Sequence, residues 1–393
     1  MSNLSTPLAS KNIRGIEAPP IAEAMSWINT GPSNRALINL CQAVPSYPPA
    51  EALANEIGRL AKLPATSLYS DILGVPELRQ ELAASLSADY RASISEQNVA
   101  ITAGCNQAFA VTMMALCEAG DNVILPVPYY FNHHMWLEML GIKPRYFQAI
   151  RDGNTAPMAV DAAGLIDAQT RAIVLCSPNN PTGAIYSPET IADFHALAAQ
   201  RGIALVIDET YKDFRTDPAP PHDLFNRPRW GDSFIQLYSF SKVFALTGYR
   251  VGSVTASPEF LSELEKILDC VAICAPTISQ GAALFGLTSL AQWKQEKLTV
   301  AKEKAIALRQ AFTHPDLDYR LLSAGAFFAY VRHPFEEDAK AVAKRLAQKH
   351  DLIALPGSMF GPCQEQYLRL AFANAEAGVM PDVVARLIES QAA

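Results

Sequence analysis

Through the middle of the chain, short runs of consecutive apolar residues alternate with longer stretches whose apolar positions recur every three or four residues. The short runs lie at 99–102, 122–125, 172–176, 204–207, 234–239 and 251–255. Ile173-Val174-Leu175-Cys176 and Leu205-Val206-Ile207 are apolar on successive residues, as strands covered on both faces must be. The helical pattern occupies 51–63, 76–86, 107–116, 132–140, 188–200 and 258–268. Such alternation predicts an α/β fold: a large domain with a mostly parallel central sheet flanked by helices.

The C-terminal part has a different texture. A helical pattern with a polar face at 293–312 precedes the strand-like Ala326-Phe327-Phe328-Ala329-Tyr330-Val331, and Tyr367-Leu368-Arg369-Leu370-Ala371-Phe372 follows later. This predicts a small α+β domain. The first ~45 residues, rich in Pro, Ser and Asn, predict an arm and a strand. The chain therefore divides into 1–45 (arm and part of the small domain), 46–277 (large domain) and 278–393 (interdomain helix and small C-terminal domain). Consecutive prolines make 217–222 a surface loop.

Composition narrows the function. A chain of 393 residues suggests two or three structural units at ~150 residues each. With 50% hydrophobic and 18% charged residues it is no disordered acidic tail. Lys plus Arg is 32 against 39 for Asp plus Glu, a net charge of −7 without basic clusters, which argues against nucleic acid as a partner. The 7 cysteines are odd in number and contain no C-x-x-C. That disfavours a disulfide framework or a zinc site and predicts reduced thiols in a cytoplasmic protein. No apolar signal segment opens the chain. The uncharged stretches 97–117 and 270–293 are broken by Gly104, Asn106, Pro276 and Gln280 and do not read as membrane spans. His133 and His134 are adjacent and cannot share a helix face, so no metal pair is expected there.

Candidate chemistry gathers where predicted strands end. Ser239-Phe-Ser-Lys-Val-Phe-Ala-Leu-Thr-Gly-Tyr-Arg250 sets Lys242 among Phe240, Val243, Phe244 and Leu246. Desolvation lowers a lysine pKa, and a neutral amine is what imine chemistry requires. Ser239, Ser241 and Arg250 suit a phosphate. Taken alone, the segment equally suits a snorkelling lysine beside capping serines. Ser177-Pro-Asn-Asn-Pro-Thr-Gly183 and Val206-Ile-Asp-Glu-Thr-Tyr211 also follow apolar strands, at the edge where open α/β sheets bind ligands. Asp208 there needs a cation or hydrogen bonds. In Thr102-Ala-Gly-Cys-Asn-Gln107 a glycine at a strand-to-helix turn lets backbone N–H groups face an anion. Each motif alone is also met by an ordinary turn, cap or ion pair.

Together, in this order, they resemble the class I/II pyridoxal-phosphate-dependent aminotransferases, of fold type I and the aspartate aminotransferase superfamily. The resemblance runs over about 35–375. It is carried by Tyr69-x4-Gly-x-Pro-x-Leu-Arg79, Asn-Pro-Thr-Gly183, Asp208-Glu-x-Tyr211 and Ser239-x-Ser-Lys242 with Arg250 eight residues on. It implies that Lys242 forms the Schiff base with the cofactor pyridoxal 5'-phosphate. Asp208 would pair with the ring nitrogen, Asn180 and Tyr211 would bond the ring's phenolic oxygen, and Tyr130 would stack on the ring. Gly104, Cys105, Asn106, Ser239 and Arg250, with Ser241 as a further contributor, would hold the phosphate. Tyr69 would reach the neighbouring site of a homodimer. Arg369 would clamp the substrate α-carboxylate, helped by Ala43 and Asn180. The implied reaction moves the amino group of an L-amino acid to a 2-oxo acid by a ping-pong mechanism.

The match departs from the family at Leu40-Cys-Gln-Ala-Val-Pro45, where Cys41 and Ala43 replace glycines. The Ala43 methyl would narrow the site or require φ < 0, while its N–H remains free to meet the carboxylate. No second arginine for a substrate side-chain carboxylate stands out; Arg14, in the arm, is the nearest choice. Tyr129, Phe131, His133 and Phe360 either flank a pocket for aromatic or medium apolar substrates or are ordinary packing aromatics. By spacing Tyr130, rather than Tyr129, faces the cofactor. A C–S β-lyase or related eliminating enzyme shares these motifs, and a non-catalytic pyridoxal-phosphate-binding dimer is the rival from another class.

Overall fold

The computed structural model describes residues 8–28, 35–151 and 153–392. Residues 1–7 and 29–34 of the predicted arm lie outside the described residues.

The predicted strand runs form one seven-stranded sheet. Its order is Val99–Thr102, Gly252–Thr255, Phe234–Ser239, Ala204–Asp208, Thr170–Cys176, Asn122–Val127 and Lys143–Gln148. Gly252–Thr255 runs against both neighbours, and the other neighbouring pairs are parallel. The edge strand Lys143–Gln148 escaped the sequence pattern because Lys143, Pro144 and Arg145 break its apolar run and its side chains are mostly half-exposed.

Period-2 alternation sends Leu205 and Ile207 to one face, and Val206 to the other. The first face packs beneath Glu51–Leu60, Pro76–Tyr90, Pro188–Arg201 and Thr277–Ser289; the second beneath Cys105–Leu116, Phe131–Met139 and Pro258–Ala272. Each Leu, Ile or Val so buried contributes about 1.5–3 kcal/mol. Pro188–Arg201 shows how sequence sets helix ends. Ser187 Oγ accepts from Thr190 N at 3.2 Å, and Gly202 leaves the helix in the left-handed region.

A second, antiparallel sheet orders Leu355–Pro356, Tyr367–Leu370, Phe328–Arg332 and Arg320–Gly325. Its core includes Leu308, Val342, Leu346, Val383 and Leu387 from three helices, and also Trp27, Ile38 and Leu40 from the N-terminal segment. Ile38–Asn39 pairs in parallel with Leu352–Ile353, so the two ends of the chain build this unit together. The 21-residue helix Ala291–Ala311 precedes this sheet. No described helix is long and apolar enough to cross a membrane.

Candidate active site

The parallel strands deliver their last residues to one edge. Cys176 and Asp208 close their strands side by side in register, and Ser239 ends the next strand. Along that edge opens a cleft. Its walls carry Cys105, Asn106, Tyr130, Asn180, Asp208, Tyr211, Ser239, Ser241, Lys242 and Arg250, all expected from the sequence. Cys176 and Thr210 complete the lining and were not expected.

Lys242 sits in the short helix Phe240–Val243, and its Nζ donates to Ala43 O at 2.5 Å. Burial first, then the charges of Arg250 and Arg369, push its amine down to about 8. Burial opposes ionisation of Asp208, but hydrogen bonds and charge outweigh it and hold the carboxyl below its usual range. His133 Nε2 lies 3.1 Å from Oδ2, Thr210 N donates to Oδ1 at 3.0 Å, and the Cys105 thiol stands 3.6 Å from Oδ1. The same burial, reinforced by Asp208, pushes the Cys105 thiol up, so it stays protonated.

The anion end is set by backbone. Strand Val99–Thr102 turns through Gly104 at φ +87° into helix Cys105–Leu116. The Arg250 guanidinium lies so close that a Cβ at Gly104 would be 2.2 Å from Nη2. Arg250 Nη1 also donates to Thr247 O at 3.1 Å. Ser239 Oγ accepts from Ser241 N at 3.2 Å, fixing the turn that carries Lys242.

Arg369 is fully buried, with its guanidinium 5.0 Å from the ring centres of both Phe328 and Phe360. Nη1 donates to Asn180 Oδ1 at 3.0 Å, Nη2 donates to Cys41 O, and Nε has no partner. Burial lowers its pKa to about 10, leaving it cationic at neutral pH. Ala43 avoids a positive φ, and its carbonyl accepts from Lys242 Nζ. Its methyl packs against the cluster of Tyr211, Phe327 and Phe328.

Tyr130 lies edge-on to His133 with ring centres 5.1 Å apart and lines the cleft, whereas Tyr129 stacks on His134 and Tyr146 outside it. Phe131 packs on Phe360 with ring centres 5.6 Å apart, and Phe360 in turn lies against Arg369. Tyr69 stands apart: it is 76% exposed and lines a different groove with Ala103, Ala272 and Pro276. Arg14 is exposed in helix Lys11–Gly15 and does not line the cleft of its own chain. His133, expected either at a pocket flank or in ordinary packing, is buried, bonded to Asp208 and stacked on Phe109 with ring centres 4.2 Å apart. Its spacing of three from Tyr130 sets both on one face at the start of a helix, which was the available signal.

Residues 35–387 match the aminotransferase class I and II family. The chain belongs to that family. Among curated aminotransferases, an aromatic aminotransferase of Arabidopsis thaliana is 29% identical, covering 97% of this chain and 95% of that protein. An aspartate aminotransferase of Thermotoga maritima is 27% identical over 90% of each. The crystal structure of an aspartate aminotransferase from Thermotoga maritima superposes with a TM-score of 0.88 at 25% identity, covering 98% of this chain and all of that one. The Thermus thermophilus aspartate aminotransferase with maleate has the same fold, with a TM-score of 0.87 at 22% identity over 98% of this chain and 100% of that one.

Proposed function

We propose that this aminotransferase uses pyridoxal 5'-phosphate, held in the cleft at Lys242, to move the amino group of an L-amino acid to a 2-oxo acid. The supporting observation is one cleft with three matched ends: an amine pushed down to about 8, a buried carboxylate, and a glycine turn against an arginine. Those ends suit the aldehyde, the ring nitrogen and the phosphate of that cofactor. Bound there, the cofactor supplies an electron sink and a carbonyl that takes up and hands on the amino group.

The chain's own groups do the rest. Asp208, ionised and braced by His133 and Thr210, keeps a proton on the ring nitrogen. Asn180 and Tyr211 border the cleft where the ring's phenolic oxygen would be held, and Tyr130 offers a ring face for stacking. Gly104, Cys105 and Asn106 give backbone N–H groups at a helix start, with Ser239, Ser241 and Arg250 beside them, for the phosphate. Arg369, steered by Asn180, receives the α-carboxylate. Lys242 Nζ then stands ready to carry a proton at the substrate Cα. Because the amino group would stay with the enzyme while the first 2-oxo acid leaves and a second takes its place, the kinetics are ping-pong.

Among the described residues the lining of the cleft includes one arginine, Arg250, and Arg369 adjoins it through Asn180; the phosphate and the α-carboxylate would occupy these two. With Phe328 and Phe360 around Arg369, this favours an aromatic or medium apolar donor. The exposed Tyr69, beside Leu68 at 67% exposure, fits a homodimer in which each Tyr69 serves the other subunit's cleft. We propose the division at 45/46 and 277/278, the interdomain part beginning with helix Thr277–Ser289, which packs on the large sheet. Seven free thiols fit a cytoplasmic location. The test is a panel of amino donors with and without 2-oxoglutarate or pyruvate. Transamination requires 2-oxo acid product only when the acceptor is present. Pyruvate and ammonia without an acceptor would instead identify a β-lyase, and no turnover would identify a binding protein.

A further inference from the structure

Lys304 is a buried lysine with no part in the chemistry above. It is 2% exposed, on helix Ala291–Ala311. Its ammonium donates to Ser46 Oγ and to Ala373 O at 3.3 Å, and Glu376 Oε1 lies 3.8 Å away. An ammonium so enclosed costs free energy unless oxygens replace its water, and a methionine would fill the same space without that cost. What the charge accomplishes is read from what it joins.

Ser46 belongs to the loop whose carbonyls meet the two substrate-handling cations: Cys41 O at Arg369 and Ala43 O at Lys242. Ala373 and Glu376 belong to the segment that follows the strand bearing Arg369. The two segments run together from Leu40, whose O accepts from Ala371 N at 2.8 Å, and Asn39, whose O accepts from Asn374 Nδ2 at 2.8 Å. Lys304 joins them farther along. The loop also rests on the same helix through Tyr47, whose ring meets Trp293 edge-on at 5.7 Å and lies 5.0 Å from Lys297 Nζ. Trp293, Lys297 and Lys304 are spaced by four and seven residues and so share one helix face. That face carries the loop, and Lys304 is its polar anchor.

We propose that Lys304 is a positioning residue for substrate binding, clasping loop 41–47 to segment 373–376 so that the Cys41 and Ala43 backbone is held against Arg369 and Lys242. The functional part rests on the aminotransferase reading of those two cations; the clasp itself does not. The test uses the cofactor-loaded protein and the variants Lys304→Met, Ser46→Ala and the double variant. Amide hydrogen exchange in 41–47 and 371–376 should rise about tenfold or more in Lys304→Met, with 105–116 unchanged as internal reference. The KM for both the amino donor and the 2-oxo acid should rise about 5- to 20-fold, with kcat changed less than about threefold. Ser46→Ala should move both readouts the same way by less, and the double variant should not exceed Lys304→Met. Should Lys304→Met fail to fold, Ser46→Ala still tests the contact through both readouts. Unchanged exchange in the two segments, or exchange rising equally in 105–116, overturns the clasp. Raised exchange with unchanged KM in a protein that transaminates overturns its role in substrate binding. If wild-type protein fails to transaminate, the aminotransferase reading falls separately, while exchange still decides whether the clasp exists.

Discussion

Gly104→Ala tests whether the turn after strand Val99–Thr102 holds the cofactor's phosphate. At φ +87° and ψ 166° the backbone is in a region that glycine alone adopts readily, so alanine costs about 1–3 kcal/mol of stability. The larger consequence is local. The new Cβ would sit 2.2 Å from Arg250 Nη2 and 2.8 Å from Cζ, so the guanidinium must move away from the turn. Losing one charge-assisted hydrogen bond to phosphate costs about 1.5–3 kcal/mol, or about 10- to 150-fold in cofactor Kd. Titrating cofactor-free protein with pyridoxal 5'-phosphate, followed by protein fluorescence, measures it. Gly120→Ala is the control: its φ is +100°, but nothing lies within 4 Å of the added methyl, so it bears backbone strain alone. Gly120→Ala should lose stability and keep cofactor affinity. If Gly104→Ala binds cofactor as tightly as Gly120→Ala does, the turn is not the phosphate site.

Three further outcomes are expected. Arg369→Lys should keep cofactor affinity yet lower kcat/KM by about 30-fold or more, since a buried bidentate pair is worth at least about 2 kcal/mol; unchanged kinetics would locate the carboxylate elsewhere. The rate at which Lys242 captures cofactor needs its neutral amine, whose pKa is lowered to about 8. That rate should rise about tenfold per pH unit below 8 and level off above it, whereas a lysine at its ordinary value would keep the rate rising to beyond pH 10. Gly183→Ala would put a methyl 2.4 Å from Phe328 O and 2.6 Å from Gly325 N at φ +72°. It should lose about 2–4 kcal/mol of stability in denaturant titration, and a loss below 1 kcal/mol would mean the two sheets are not in tight contact there.

What the sequence disclosed and what it withheld have physical causes. Central strands such as Ala204–Asp208 bury both faces and so appear as unbroken apolar runs; Asp208 and Ser239 stand out by ending them, and Lys242 by lying three residues beyond. Lys143–Gln148 did not, because an edge strand needs apolar side chains on few positions. Thr277–Ser289 is a buried helix whose Ser, Gln and Gly residues blur its period, and it was legible only as a buried, non-spanning stretch. Within the cleft, Asn180, Asp208 and Lys242 are each marked by a local motif. Cys176 enters through strand register, since it pairs with Asp208 in the neighbouring strand, and register is a property of the folded sheet. Thr210 reaches Asp208 with both its backbone N–H and its side chain, two residues past the strand's end, where the local motif gave it no distinct mark. Arg369 and Ala43 meet Asn180 and Lys242 through contacts spanning 189 and 199 residues, which no local pattern contains.

Lys242 is the group proposed to bind the cofactor covalently. Protein incubated with pyridoxal 5'-phosphate, reduced with borohydride, digested and mapped by mass spectrometry measures this directly. The expected result is the cofactor's mass on the peptide containing Lys242, at one equivalent per chain, and no label there in Lys242→Ala. Label on another lysine such as Lys212 or Lys304, or none at all under saturating cofactor, would contradict the assignment.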